Sequence, residues 1–160
     1  MPIPFRNPVH DGPFADPFVL PTEDGYLAVG TGSVVDGRIF ELLTSPDLVH
    51  WSSIGAALEP VAAELGSDYW APEIAHHDGQ WFLYYSVGHG DAGHHLRVAV
   101  ADEVTGPYRD AGVNLAPDER FAIDPHPFRD QDGTWYLFFA HDVLEGKGSG
   151  RCSRSTSWTR

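Results

Sequence analysis

A repeat sets the terms for any fold this chain can adopt. Residues 15–20 read Ala-Asp-Pro-Phe-Val-Leu, residues 70–75 read Trp-Ala-Pro-Glu-Ile-Ala, and residues 123–128 read Ile-Asp-Pro-His-Pro-Phe. Pro17, Pro72 and Pro125 lie 55 and 53 positions apart. After each segment comes an Asp-Gly pair (24–25, 78–79 and 132–133) and then an apolar, aromatic-rich run. A second echo links residues 44–51, Thr-Ser-Pro-Asp-Leu-Val-His-Trp, to residues 101–108, Ala-Asp-Glu-Val-Thr-Gly-Pro-Tyr. A period near 50 residues with about four strands per unit is the signature of propeller blades.

The runs between the turn signals read as strands. Residues 25–30, 80–87, 96–101 and 134–140 are short, rich in β-branched and aromatic residues, and several are apolar on both faces, as strands between packed sheets must be. The Asp-Gly pairs are expected to make the tight turn between the first and second strands of each blade. Helical periodicity is nearly absent; the one short candidate is residues 60–65. The expected class is all-β, a propeller represented by two blades and about half of a third. Residues 1–146 form this portion of a single domain. Such a chain cannot close a ring alone, because propellers need at least four blades. Residues 147–160 change character: four basic residues, no acid, the lone Cys152 and no strand pattern. They are expected to be an out-of-frame or disordered ending.

Composition narrows the partners. Ten Lys and Arg stand against 23 Asp and Glu, a formal net charge of −13. That balance argues against nucleic acid, whose phosphates need cations, and against anionic membrane surfaces. No run approaches the roughly 18 apolar residues of a membrane span. The first residues lack a basic region followed by an apolar one, so a cytoplasmic location is expected. One cysteine permits no internal disulfide. Nine histidines raise the question of a metal, but His76-His77 and His94-His95 are adjacent pairs. Neighbours on a strand point to opposite faces, and no spacing matches a zinc pattern. Gly30-Thr31-Gly32 and residues 146–150 do not match the phosphate-loop pattern, Gly-Lys-Ser/Thr opening a helix. No metal and no cofactor are expected.

The chemistry lies in the repeat. Asp16 and Asp124 occupy the same place in the first and third units, about 108 residues apart, and Glu73 follows Pro72, one step out of that register. Inner strands of a propeller line its central axis, so equivalent positions in different blades face one pocket. Two or three carboxylates brought together repel, and their proton affinities are driven apart. Glycosidic acid/base chemistry needs that arrangement. Either Asp-Pro taken singly would serve equally as an ordinary strand start; their shared register is what favours a site.

Four segments in order carry a family resemblance: residues 12–18 (Gly-Pro-Phe-Ala-Asp-Pro-Phe), 69–73 (Tyr-Trp-Ala-Pro-Glu), 81–86 (Trp-Phe-Leu-Tyr-Tyr-Ser) and 122–128 (Ala-Ile-Asp-Pro-His-Pro-Phe). Together with residues 45–51, they resemble glycoside hydrolase family 43, which contains arabinanases, arabinofuranosidases and xylosidases on a five-bladed β-propeller. The resemblance covers residues 7–146. It implies inverting hydrolysis of arabinofuranosyl or xylosyl linkages in an oligo- or polysaccharide. It makes Asp16 the general base, Asp124 the carboxylate that orients the acid and tunes its proton affinity, and Phe14, Trp70, Glu73 and Tyr85 lining residues of the sugar pocket. Some relatives hold a cation or water cluster near a histidine, and His126 is the place for it here. The family's general acid is a Glu in a later blade, commonly followed by Gly-Pro. Glu145-Gly146 is followed by Lys147 and is not assigned that role. The 160 residues are therefore expected to lack the acid and to be inactive by themselves. Two alternatives are a non-catalytic sugar-binding propeller and an unstable fragment.

Overall fold

Short apolar runs cut by Asp-Gly and Pro turns fold as antiparallel meanders, because each run can bond only to the neighbour a tight turn away. The computed structural model describes residues 5–141 and the backbone of a two-residue strand, Ser153–Arg154. The first sheet is β1 (Phe14–Thr22), β2 (Gly25–Gly32), β3 (Ile39–Ser45) and β4 (Ser52–Leu58), paired in that order. The second is β5 (Asp68–His77), β6 (Gln80–Gly88), β7 (His94–Ala101) and β8 (Arg109–Asn114). The third has β9 (Ala122–Arg129), β10 (Trp135–His141) and β11 (Ser153–Arg154), with β10 in the middle. This is an all-β fold of three unclosed sheets, a partial propeller with two complete four-stranded blades and a third of three strands among the described residues. The atypical ending at 147–160 lies outside the described residues, apart from β11, which pairs with β10 through Phe138–Arg154 and Phe139–Ser153.

The turn chemistry differs from blade to blade. In the second blade Asp78 and Gly79 both have positive φ, 50° and 79°, and His77 pairs with Gln80; this is the two-residue loop with a twist matching the flanking strands. In the first blade Thr22 pairs with Gly25 itself, so Glu23 and Asp24 form the loop. In the third blade Arg129 pairs with Trp135, and the longer connection is held by Gly133 N–H donating to Asp130 O at 2.9 Å. The helix candidate at 60–65 shrinks to a single 3-10 turn, Ala63–Leu65, with no apolar side chain fully buried to hold a longer helix.

Sheets that are apolar on both faces must be covered on both. Blades 1 and 2 meet face to face through Val29, Phe40, Leu42, Leu83, Tyr85 and Val87, all essentially fully buried. Blades 2 and 3 meet through a smaller cluster: Leu96, Ala116, Ala122, Leu137 and Phe139. At the periphery, blade 2 is stitched to blade 1 by two backbone bonds, Tyr108 N–H to Ala57 O (2.8 Å) and Glu59 N–H to Tyr108 O (3.0 Å).

Tyr85, expected in the sugar pocket, belongs to this core. It is 0% exposed, stacks on Tyr69 with centroids 6.3 Å apart, and meets Phe40 edge-on at 5.9 Å. Its hydroxyl donates to Asp110 Oδ2, which also accepts from Arg97 Nε at 2.8 Å. Burial alone would raise the Asp110 carboxyl, but the bonds from Arg97 and Tyr85 together hold it below its ordinary range. The reason for the difference is strand alternation: Tyr85 shares a face with Leu83 and Val87, the face that packs on blade 1. Tyr85→Phe is expected to cost about 1 kcal/mol, the usual net worth of a buried hydrogen bond, and Tyr85→Ala about 3–5 kcal/mol through the cavity left between blades. Urea unfolding followed by tryptophan fluorescence checks both; equal costs for the two would contradict a core role.

Candidate active site

The three inner strands β1, β5 and β9 carry the same irregularity. In β1 the register passes from Ala15–Thr31 to Phe18–Val29, so Asp16 and Pro17 together face one residue, Gly30. In β5, Ala71 and Pro72 face Tyr85 between the pairs Trp70–Ser86 and Glu73–Tyr84. In β9, Asp124 and Pro125 face Phe139 between Ile123–Ala140 and His126–Phe138. Each is a β-bulge, two residues against one. The residue before proline has positive φ every time: 47° at Asp16, 45° at Ala71 and 55° at Asp124. Proline pushes its predecessor toward extended conformations, and positive φ is unfavourable for a side-chain-bearing residue. Each bulge therefore stores strain on the order of 1 kcal/mol. Asp tolerates this conformation better than most residues, through its short polar side chain. The Pro repeat visible in the sequence is the trace of these bulges.

The bulges set the register of the site. Asp16, Ala71 and Asp124 are equivalent, so the second blade presents a methyl group where its neighbours present carboxylates. Glu73 stands two positions further on, equivalent to Phe18 and His126. Asp16 and Asp124 are exposed, and Glu73 is half-buried. The carboxylates act on one another: partial desolvation by the surrounding protein, and after it the Asp16 charge, raises the Asp124 carboxyl above its ordinary range. Burial also raises Glu73, reinforced by Asp124 and opposed by His126. Two cross-blade bonds hold the group together. His126 Nδ1 lies 2.8 Å from Glu73 Oε2, joining blade 3 to blade 2. Thr31 Oγ1 accepts from Ala71 N–H at 2.7 Å and donates to Asp16 Oδ2 at 3.0 Å, joining blade 2 to blade 1.

The aromatic candidates divide. Trp70 immediately precedes the second bulge and is half-buried. It stacks on His94 with centroids 3.8 Å apart and planes at 22°. Phe14 lies over Gly30, where a Cβ would come within 2.8 Å of its ring, and meets His10 edge-on at 5.6 Å. It lines an open hollow of about 770 Å³ with Val19, Ala28, Leu43 and Trp51. A second groove of about 460 Å³, lined by Phe82, Tyr84, Val98 and Trp135, runs along the boundary of blades 2 and 3. Neither hollow includes Asp16, Glu73 or Asp124. No group of three or more His, Cys, Asp or Glu among the described residues is arranged to hold a metal ion.

Sequence reasoning passed over Thr31 and His94. Thr31 is one hydroxyl in a Gly-Thr-Gly run, and its partners lie 15 and 40 positions away; only the unassigned polar residue in an apolar strand hinted at a use. His94 is fully buried, and neither ring nitrogen finds a hydrogen-bond partner among the described residues. Burial lowers its pKa below the usual imidazole value, with Asp68, the Gly90 backbone and Asp91 pulling the other way and His95 adding to the fall.

Two expected outcomes follow from these protonation states. His94 takes up its proton more readily unfolded than folded, so its contribution to stability declines as pH falls below about 6.5. His94→Phe, which keeps a ring against Trp70, should raise stability by about 1 kcal/mol at pH 5 and flatten the acid limb of a urea-midpoint profile. An unchanged limb would contradict this. Asp124 has the opposite sign: its folded pKa is raised, so the native state is favoured at low pH and that advantage is lost as pH rises through the folded value. Asp124→Asn should therefore raise Tm at pH 7 by roughly 1–2 °C and leave it unchanged at pH 3, measured by scanning calorimetry.

Comparison with known proteins places this geometry among relatives. The family model described as Glycosyl hydrolases family 43 matches residues 5–151. The extracellular endo-α-(1→5)-L-arabinanase of Thermotoga petrophila is 25% identical over 128 residues, covering 69% of this chain and 26% of its own. Among solved structures, a thermostable family-43 glycoside hydrolase superposes with a TM-score of 0.76 at 25% identity, covering 98% of this chain and 57% of its own. An endo-1,4-β-xylanase from Bacteroides thetaiotaomicron gives a TM-score of 0.71 at 30% identity, covering 91% of this chain and 48% of its own. This chain thus spans about a quarter of that arabinanase and about half of the two solved chains.

Proposed function

Because the chain belongs to glycosyl hydrolase family 43, we propose that its inner-strand carboxylates serve the inverting hydrolysis of arabinofuranosyl or xylosyl linkages. The observation that supports this reading is the equivalent bulge in blades 1 and 3, which holds Asp16 and Asp124 at the same register position, with the Asp16 charge acting on Asp124. An arabinanase and a xylanase among the similar proteins support the choice of sugars.

The proposed roles are those the family resemblance implies. Asp16 is the general base: it takes a proton from a water whose oxygen attacks the anomeric carbon. The glycosidic C–O bond breaks, and its electron pair leaves with the departing oxygen, which receives a proton from a carboxylic acid. A base and an acid on opposite sides of the bond, spaced to admit water, give inversion. Asp124 tunes that acid: as a carboxylate it raises the proton affinity of a neighbouring carboxyl, keeping it protonated at the working pH. Trp70, beside the second bulge, offers an aromatic face to a sugar ring, and Glu73, held by His126, offers a carboxylate to sugar hydroxyls. The 160 residues contain no Glu-Gly-Pro segment, so the acid is proposed to come from a blade they do not include. The activity is proposed for a full-length relative that carries this sequence together with the acid.

The test uses that full-length relative on 4-nitrophenyl α-L-arabinofuranoside, 4-nitrophenyl β-D-xyloside and arabino-oligosaccharides, with NMR reporting the anomer first formed. Asp16→Ala should lower kcat on the order of 10³-fold, and azide should restore part of the rate as a glycosyl azide of inverted configuration. The isolated 160-residue chain should show no turnover. Retention of configuration, or an active Asp16→Ala variant, would overturn the assignment.

A further inference from the structure

The second bulge poses a question that the carboxylates do not answer. Blades 1 and 3 hold Asp at the strained position, where the strain aims a reacting group. Blade 2 holds Ala71 in the same conformation, φ 45°, only 8% exposed and followed by Pro72. A buried Ala gains nothing chemical from positive φ and, unlike Asp, has no polar side chain to compensate for it. What the bulge changes is the direction of the Ala71 N–H. An extra residue in a bulge is unpaired in the ladder, and this N–H leaves the sheet to meet Thr31 Oγ1 across the blade boundary at 2.7 Å.

That bond gives the Thr31 hydroxyl a defined polarity. A hydroxyl has one proton to donate. With its oxygen accepting from Ala71, the proton points to the other partner, Asp16 Oδ2 at 3.0 Å. Thr31 sits opposite Ala15, one residue before the Asp16 bulge, and its β-branched side chain restricts χ1. The chain of bonds therefore runs one way: Ala71 N–H, Thr31 O–H, Asp16 Oδ2. Among the described residues Oδ2 is the oxygen so engaged.

We propose that Thr31, oriented by the Ala71 bulge of the neighbouring blade, is the positioning residue of the general base, tying down Asp16 Oδ2 so that Oδ1 is the oxygen that receives the proton of the attacking water. The inference rests on Asp16 being the base. It adds that the base is aimed from blade 2, so blades 1 and 2 are one functional unit. Thr31 touches neither water nor sugar in this role; its effect passes through Asp16.

The experiment is a cycle in the full-length relative that carries this sequence. Thr31→Val keeps the shape and removes the hydroxyl, whereas Thr31→Ser keeps the hydroxyl. Thr31→Val should lower kcat about 10-fold or more with KM within about 2-fold, as expected when a group assists the reacting state but not binding. Thr31→Ser should stay within about 3-fold of wild type. In the Asp16→Ala background with azide, no base is needed, and adding Thr31→Val should cost less than about 2-fold; residues acting through one another are non-additive. A full loss there, or a Thr31→Val enzyme as fast as wild type, overturns the proposal while leaving Asp16 as the base. An active Asp16→Ala enzyme overturns both. A readout independent of turnover is amide hydrogen exchange at Ala71, which should quicken about 10-fold or more in Thr31→Val and stay unchanged in Thr31→Ser. Unchanged protection in Thr31→Val also overturns it.

Discussion

Everything in this structure depends on sheets being apolar on two faces. A blade with Leu83, Tyr85 and Val87 on one side and Tyr84 and Leu96 on the other cannot be half-solvated like an ordinary antiparallel sheet. It must sit between neighbours. The tightest of these contacts joins blades 1 and 2, where Phe40, Tyr69 and Tyr85 interlock. The polar end of Tyr85 is accommodated only because Asp110 receives it, and Asp110 is in turn neutralised by Arg97. Burying that triad unpaired would cost several kcal/mol; paired, it ties β6, β7 and β8 of blade 2 together. Face-to-face stacking brings inner strands to a common edge, and that edge is where the carboxylates lie.

At this edge the backbone is irregular for a reason. A regular strand alternates side chains between its two faces and sends none of them along the sheet toward the axis. The bulge at Asp16-Pro17, Ala71-Pro72 and Asp124-Pro125 breaks the alternation in all three inner strands. Strain of this kind survives only where surrounding structure over-determines it. Here that structure is the flanking ladder, the fixed φ of proline and, in blade 2, the bond to Thr31. The same edge concentrates like charge, with Asp16 acting on Asp124 and Asp124 on Glu73. His126 relieves part of it, at the position where blade 2 has Glu73 and blade 1 has Phe18. Equivalent places in a repeated unit have thus taken three different chemistries, an apolar ring, an acid and an imidazole.

Much of this could be read from the residues in order. The Pro spacing, the Asp-Gly turns and the aromatic runs define the blades, because strand and turn signals are local and each blade is a local meander. Asp16 and Asp124 were legible as a pair because a repeat converts sequence register into spatial register. Family motifs implied roles for them, and the match to family 43 agrees with the resemblance those motifs carry. Tyr85 was not legible as core. Trp81 to Ser86 is aromatic on both faces, and nothing local says which face meets blade 1. The Asp-Gly pairs, likewise, were read as one turn although only in the second blade does the pair itself form the two-residue loop.

The sequence by itself determined the elements: strand positions, blade period, acidic character, and the two Asp-Pro steps that recur in register. Those properties arise from neighbours along the chain, through side-chain alternation, proline's fixed φ and turn preference. The tertiary structure alone decided which side chains share a boundary. It put the Ala71 N–H on Thr31 and the Thr31 hydroxyl on Asp16, joined His126 to Glu73, and stacked His94 on Trp70. These contacts span 15 to 53 positions. They exist only once apolar faces have stacked, because hydrophobic packing chooses the orientation of whole sheets and the polar contacts at their edges follow from that choice.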